Sequence, residues 1–312
     1  MLKLKNLDDI DFSKRKVGDL VFIGVYTSSS CNLRCKYCSE SSGSKSANET
    51  SLDERINIID QGKELAAQIV LIAGVGEPLL DPFFIPTIRH AYLSGLGTLL
   101  YTNALESKSP NNIKTISLET AEFLYTHNVT PIIKLESLVQ SNHDFLTGVN
   151  GSYSAVMESI KKLHEVGYKT IDNDLTRIGV TALYTRKNLN DLKNLRQWCD
   201  RLGIKFSADF LRVYGNVEKN RIIIPTLNEI LQVKGKLGDE LPMENRGCVF
   251  RNFGLVIDNI GNARYCAETA TGEIGNIRDL PLAELLKIKN SKYPPEEQNY
   301  KFTCSLKLSY YL

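Results

Sequence analysis

Cys31, Cys35 and Cys38 fall within eight residues and carry the spacing C-x3-C-x2-C. Soft thiolates suit iron–sulfur clusters and zinc. Structural zinc takes four protein ligands, and three thiolates on one tight loop leave the fourth position empty. A [4Fe-4S] cluster on three cysteines instead leaves one iron open to a ligand from outside, which makes the loop a place for chemistry. The alternative is three reduced thiols packed in a loop. The location counts against it: residues 19–28 are β-rich and mostly apolar, as in a buried parallel strand. The cysteines therefore follow the C-terminal end of a strand in a βα unit, where α/β folds place ligands.

Other chemistry is excluded more easily. The seven cysteines are an odd number, a poor disulfide framework and a better metal or redox inventory. His90, His127, His143 and His164 show no H-x-x-H or H-E-x-x-H spacing, so no zinc hydrolase is indicated. The 38 Lys and Arg nearly balance 36 Asp and Glu, for a net charge of +2, and the tyrosines do not interleave with a basic stripe. Neither a nucleic-acid surface nor a membrane surface is expected from that balance. No stretch approaches the roughly 20 apolar residues needed to span a bilayer, and no apolar signal core opens the chain. A cytoplasmic protein is the expectation.

The elements that must hold the cysteines are regular. In 312 residues, 42% of them hydrophobic, there is material for a sizeable core. Strands are predicted at 19–28, 69–73, 97–102, 131–135, 178–184 and 204–211. Helical patterns lie between them, at 81–94, 116–127, 152–166 and 189–202, with another starting at Ser51, which has Glu54 at capping-box spacing. Residues 39–50 read as a flexible polar loop. Six strands alternating with helices define an α/β fold of parallel βαβ units, closed as an open or incomplete barrel. Residues 1–18 form an N-terminal arm, 19–214 the barrel, 215–245 a linker with one helix near 227–237, and 246–312 a smaller domain. That last part has a hairpin at 253–257 and 263–266, a helix at 282–289, and three cysteines of its own, Cys248, Cys266 and Cys304.

The cysteine triplet, with Tyr37 before its last member, resembles the signature of the radical S-adenosylmethionine (SAM) superfamily. Gly76-Glu77-Pro78 is similar to that family's Gly-Gly-Glu-Pro turn, with Val75 in place of the first glycine. Tyr101-Thr102-Asn103 is similar to its Thr-Asn-Gly segment, with Ala104 in the glycine place, and 143–153 resembles the segment after its fourth strand. The likeness covers about residues 19–213. It implies a partial (βα)6, TIM-like barrel in which Cys31, Cys35 and Cys38 hold a [4Fe-4S] cluster whose open iron chelates SAM. It also implies reductive cleavage to a 5′-deoxyadenosyl radical, fed by a flavodoxin- or ferredoxin-type electron donor. Gly76 and Glu77 are then expected near the SAM amino group, and Tyr37 near the adenine. Thr102, Asn103, Lys134 and Glu136 become candidates for ribose or carboxylate contacts. Their plainer readings are turn-shaping for Thr102 and Asn103 and mutual pairing for Lys134 and Glu136, which share one face of a strand.

Residues 246–306 resemble the SPASM and twitch extensions of the same superfamily, through the G-x4-C unit 261–266 and Gly275-Asn276-Ile277 before an apolar helix. Three remaining cysteines set a ceiling of one auxiliary [4Fe-4S] cluster on Cys248, Cys266 and Cys304, for substrate binding, electron relay or structural stapling. Cys199, late in its helix, reads as a small buried hydrophobe. The sharper alternative is a hydrogen-atom donor to a substrate radical. The resemblance implies modification of a ribosomally made peptide (crosslinking, epimerisation or excision). With barely twenty residues ahead of the first strand, a peptide modifier would need a separate leader-peptide-binding protein or a recognition surface of its own. Alternatives are a radical dehydrogenase or epimerase of a sugar or aminoglycoside, and a non-catalytic iron–sulfur carrier.

Overall fold

The computed structural model describes residues 2–107, 109–237, 249–266 and 272–294; Cys248 and Cys304 lie outside them. Twelve strands are present among the described residues: β1 Lys3–Leu4, β2 Phe22–Thr27, β3 Ile69–Gly74, β4 Gly97–Thr102, β5 Val129–Lys134, β6 Ile171–Asp172, β7 Leu175–Thr176, β8 Gly179–Leu183, β9 Lys205–Asp209, β10 Gly254–Ile257, β11 Asn262–Arg264 and β12 Glu273–Asn276. The six strands expected from the alternation are β2, β3, β4, β5, β8 and β9, and each pairs in parallel with the next. Every residue of β2 is buried, as an apolar strand covered on both faces requires.

Side-chain alternation divides the core. Ile23, Val25, Ile72, Leu100, Ile133 and Val180 face the helices and pack with Ile58, Ile88, Leu124, Ile160 and Leu195. Phe22, Tyr26, Leu71, Leu99 and Ile132 occupy the opposite face in a second cluster. The helix Leu52–Glu64 begins at the expected capping box, with the Ser51 hydroxyl accepting the Glu54 N–H and the Glu54 carboxylate accepting the Ser51 N–H.

The largest addition to the sequence reading concerns residues 254–276. Their hairpin forms, with β10 antiparallel to β11, but it does not stand apart: β10 pairs in parallel with β2, aligning Val256 with Gly24. The main sheet therefore runs β12-β11-β10-β2-β3-β4-β5-β8-β9, and the strand that leads into the cysteine loop lies inside it. The N-terminal arm is also engaged. β1 pairs with β7, and the Asn6 amide donates to the Asn128 carbonyl and the Thr130 hydroxyl beneath the sheet.

Three local features depart from the pattern-based expectations. β5 begins at Val129 and includes Pro131, which falls one residue before the first β5–β8 pair, Ile132 with Gly179. The helix expected from 81 starts at Phe84, after a 3-10 turn at Pro78–Leu80. An additional helix, Gln140–Thr147, precedes the helix Ser152–Leu163.

Candidate functional site

The cysteine loop leaves β2 at Thr27 and is gripped from three sides. Gln140–Thr147 meets it end-on: the Arg34 and Lys36 N–H groups donate to the Thr147 and Leu146 carbonyls at 3.0 and 2.8 Å. Asn216 donates its backbone N–H to the Cys38 carbonyl at 2.9 Å and its amide to the Cys35 carbonyl at 3.1 Å. The turn after β3 supplies the third grip, with the Gly76 and Glu77 N–H groups donating to the Ser28 and Ser30 carbonyls. A Cβ at Gly76 would lie 2.0 Å from the Ser30 carbonyl, and one at Gly148 would lie 2.3 Å from that of Arg34. Only glycine allows either approach.

The polar stretch 39–50 contains no named helix or strand, yet its hydrogen bonds pin it in place. Gly43 bonds to Ser29 and Cys31 on both sides, and the Glu49 carboxylate accepts from Ser28, Ser29 and Ser46. Those hydrogen bonds outweigh Glu49's desolvation and hold its pKa below the usual carboxylate range.

Cys31, Cys35 and Cys38 are each half-buried and lie within electrostatic reach of one another. Desolvation dominates two of these thiols, pushing Cys31 up to about 12 against a hydrogen bond from the Leu33 N–H, and raising Cys35 well above its ordinary value. Thiolates here need adjoining positive charge, which cluster irons supply. Among the described residues, no three His, Cys, Asp or Glu side chains converge as a single-ion site. Three sulfurs on three separate irons are a different arrangement, and the loop chemistry fits a cubane better than zinc.

Glu77 is buried, and its carboxylate is fully engaged. It accepts the Leu79 N–H, the Thr102 hydroxyl and, at 2.7 Å, the Asn103 N–H. Burial outweighs these bonds and lifts its pKa to about 7. Asn103 bridges to the Asn32 side chain, whose amide donates to the Leu105 carbonyl. Thr102 and Asn103 thus shape the turn that braces the cysteine loop.

Lys134 and Glu136 pair with each other, Nζ to Oε1 at 3.0 Å. Glu136 is fully buried and also accepts the Leu183 N–H. The Lys134 ammonium sits 5.3 Å above the Tyr37 ring, and burial raises the Tyr37 hydroxyl well above its ordinary pKa. Tyr37, Leu146, Leu211, Val217 and Ile223 form an apolar cluster behind the loop.

Sequence patterns did not single out His143 as a site residue. It is fully buried; its Nδ1 accepts the Glu136 N–H at 3.2 Å, while Nε2 has no partner. Desolvation lowers its pKa to about 4 despite neighbouring Glu136 and Asp144. A buried histidine on a helix of mixed polarity carries no pattern that announces it. Cys199 is fully buried in the main core on the helix Leu192–Arg201, where burial raises its thiol far above the ordinary range. Cys266 follows β11 and is half-buried. Its proposed co-ligands Cys248 and Cys304 fall outside the described residues.

The Radical SAM superfamily pattern matches residues 25–199, and the chain belongs to that superfamily. Mycofactocin maturase MftC of Mycobacterium ulcerans is 25% identical over 186 residues, which is 59% of this chain and 46% of that protein. A tungsten-containing aldehyde ferredoxin oxidoreductase cofactor-modifying protein of Pyrococcus furiosus is 25% identical over 187 residues, 59% of this chain and 49% of that one. The chain thus matches about half the length of these curated relatives. Among solved structures, Streptococcus suis SuiB bound to S-adenosylmethionine superposes with a TM-score of 0.70 at 19% identity, covering 93% of this chain and 72% of that one. SuiB bound to its precursor peptide SuiA gives a TM-score of 0.63 at 18% identity, over 95% of this chain and 65% of the other. These likenesses show a shared α/β fold with a mostly parallel sheet.

Proposed function

We propose that this chain is a radical SAM enzyme that modifies a ribosomally made peptide. The observation that carries the reading is the C-x3-C-x2-C loop, clamped by three segments at the C-terminal end of a parallel sheet in a chain of this superfamily. Cys31, Cys35 and Cys38 would hold a [4Fe-4S] cluster with SAM on its open iron, and the six parallel strands would form a partial barrel around them. Bound there, the pair supplies one-electron cleavage of SAM and a 5′-deoxyadenosyl radical that abstracts a substrate hydrogen.

The protein's own residues do the positioning. Glu77 uses its carboxylate to lock the turn against the end of β4, and the Gly76 backbone beside the loop would contribute to holding SAM. The Lys134–Glu136 pair presents an ammonium over Tyr37, a placement suited to an anionic or ribose group. The apolar cluster around Tyr37 excludes water from the back of the loop.

The peptide assignment draws on relatives: SuiB binds a precursor peptide, and a further structural neighbour, anSMEcpe, was solved with AdoMet and a Cp18Cys peptide at a TM-score of 0.60 and 14% identity. An auxiliary [4Fe-4S] cluster involving Cys266, a flavodoxin- or ferredoxin-type donor, a leader-binding partner protein and a cytoplasmic location belong to the same proposal. No described helix is long and apolar enough to cross a membrane.

The test is anaerobic reconstitution followed by SAM, dithionite and candidate precursor peptides. Formation of 5′-deoxyadenosine with a mass change in one peptide is the expected result. Bound iron without any 5′-deoxyadenosine would instead identify a cluster carrier.

A further inference from the structure

Cys38 is served from outside the motif: the Ser42 backbone nitrogen lies 3.5 Å from its Sγ, and the Ser42 hydroxyl lies 3.3 Å from it.

The protons on Ser42 can be assigned from its surroundings. Its hydroxyl also contacts the Val75 carbonyl, which only accepts, so the hydroxyl proton points to Val75. A metal-bound Cys38 carries no proton, which leaves the Ser42 N–H as the donor to its sulfur. The hydroxyl acts as the anchor that fixes this N–H. The anchoring is rigid on the other side as well, because Gly43 accepts the Cys31 N–H and donates to the Ser29 carbonyl.

We propose that Ser42 is a positioning residue that sets the reduction potential of the cluster, by holding its backbone N–H on the ligand sulfur of Cys38. This rests on the functional reading above. Reduction adds one electron, taken from an external one-electron donor, and increases negative charge on the sulfurs. A donor to such a sulfur therefore favours the reduced form and raises the potential. The Ser42 hydroxyl is not expected to act on substrate through this contact.

The experiment is an EPR-monitored redox titration, with dithionite as reductant, of reconstituted full-length protein without SAM. Ser42→Ala should retain the iron content of the wild type and shift the midpoint to more negative values. A tenfold loss in preference for the reduced form corresponds to about 59 mV for one electron. Ser42→Thr, which keeps the hydroxyl anchor, should restore the wild-type midpoint. An unchanged midpoint in iron-replete Ser42→Ala would overturn the proposal.

Should Ser42→Ala lose its iron, the wild type decides. Its reduced cluster should show proton hyperfine couplings that disappear in D2O, and their absence would also overturn the proposal. A wild-type protein that takes up no iron would sink the functional reading itself, a separate outcome from either of these.

Discussion

The Glu77 carboxylate accepts the backbone N–H of Asn103 at 2.7 Å, tying the turn after β3 to the end of β4. With the Thr102 hydroxyl and the Leu79 N–H on the same carboxylate, one side chain satisfies three donors. Glu77→Ala leaves them without it and is expected to cost about 3 kcal/mol. Glu77→Gln keeps an acceptor and should lose less. Urea denaturation of the two variants checks this ordering, and equal losses would contradict it.

The Lys134–Glu136 pair makes a complementary prediction. Glu136 is fully buried, so Lys134→Met strands its charge and should destabilise by about 3 kcal/mol. Adding Glu136→Gln removes that charge and should recover part of the loss. A double variant less stable than Lys134→Met alone would show that the pair does not work as described.

His143 gives a pH signature. Its folded pKa of about 4 lies below the ordinary histidine value, so the unfolded chain binds the proton more readily. Its contribution is fully present above about pH 6.5 and is lost as pH falls toward 4, by up to about 3 kcal/mol. Glu77, raised to about 7, acts with opposite sign: stability falls as pH rises from its unfolded value through 7. His143→Asn keeps an acceptor for the Glu136 N–H without titrating. The stability difference between wild type and variant, in which Glu77 cancels, should slope between pH 4 and 6.5 and be flat above.

Gly148 tests the grip on the loop. Its φ of 71° and the 2.3 Å approach of a Cβ to the Arg34 carbonyl make Gly148→Ala force the loop outward. A cost of about 2 kcal/mol and a clearly lower iron-to-protein ratio after reconstitution are expected. Full iron retention would mean that this contact does not hold the loop.

Much of this architecture is legible in residue order. β4 spans the predicted 97–102, the Ser51–Glu54 capping box forms, and Lys134 and Glu136 pair as their spacing on one strand face suggests. What escapes are partners and buried polarity. The sequence marks 253–257 as a hairpin strand but says nothing of its pairing with β2, a non-local choice made by packing. The helix Gln140–Thr147 is hidden because His143, Asp144 and Thr147 are buried polar residues that break the apolar period. Residues 39–50 look like unconstrained chain because the serines and Glu49 that bond them to the loop are those typical of solvated turns. Ser42 and Asn216 were overlooked for the same reason, since their roles arise only from contacts formed in the fold.

The parallel pairing of β10 with β2 has a consequence for how the protein comes into being. The strand leading into the cysteine loop acquires its second neighbour only after most of the chain has been synthesised. Until then its outer edge is an open row of peptide groups, available for mispairing. Such a long-range closure is slow relative to local helix formation. Truncation before residue 254 would leave β2, the strand that leads into the cysteine loop, on an exposed border.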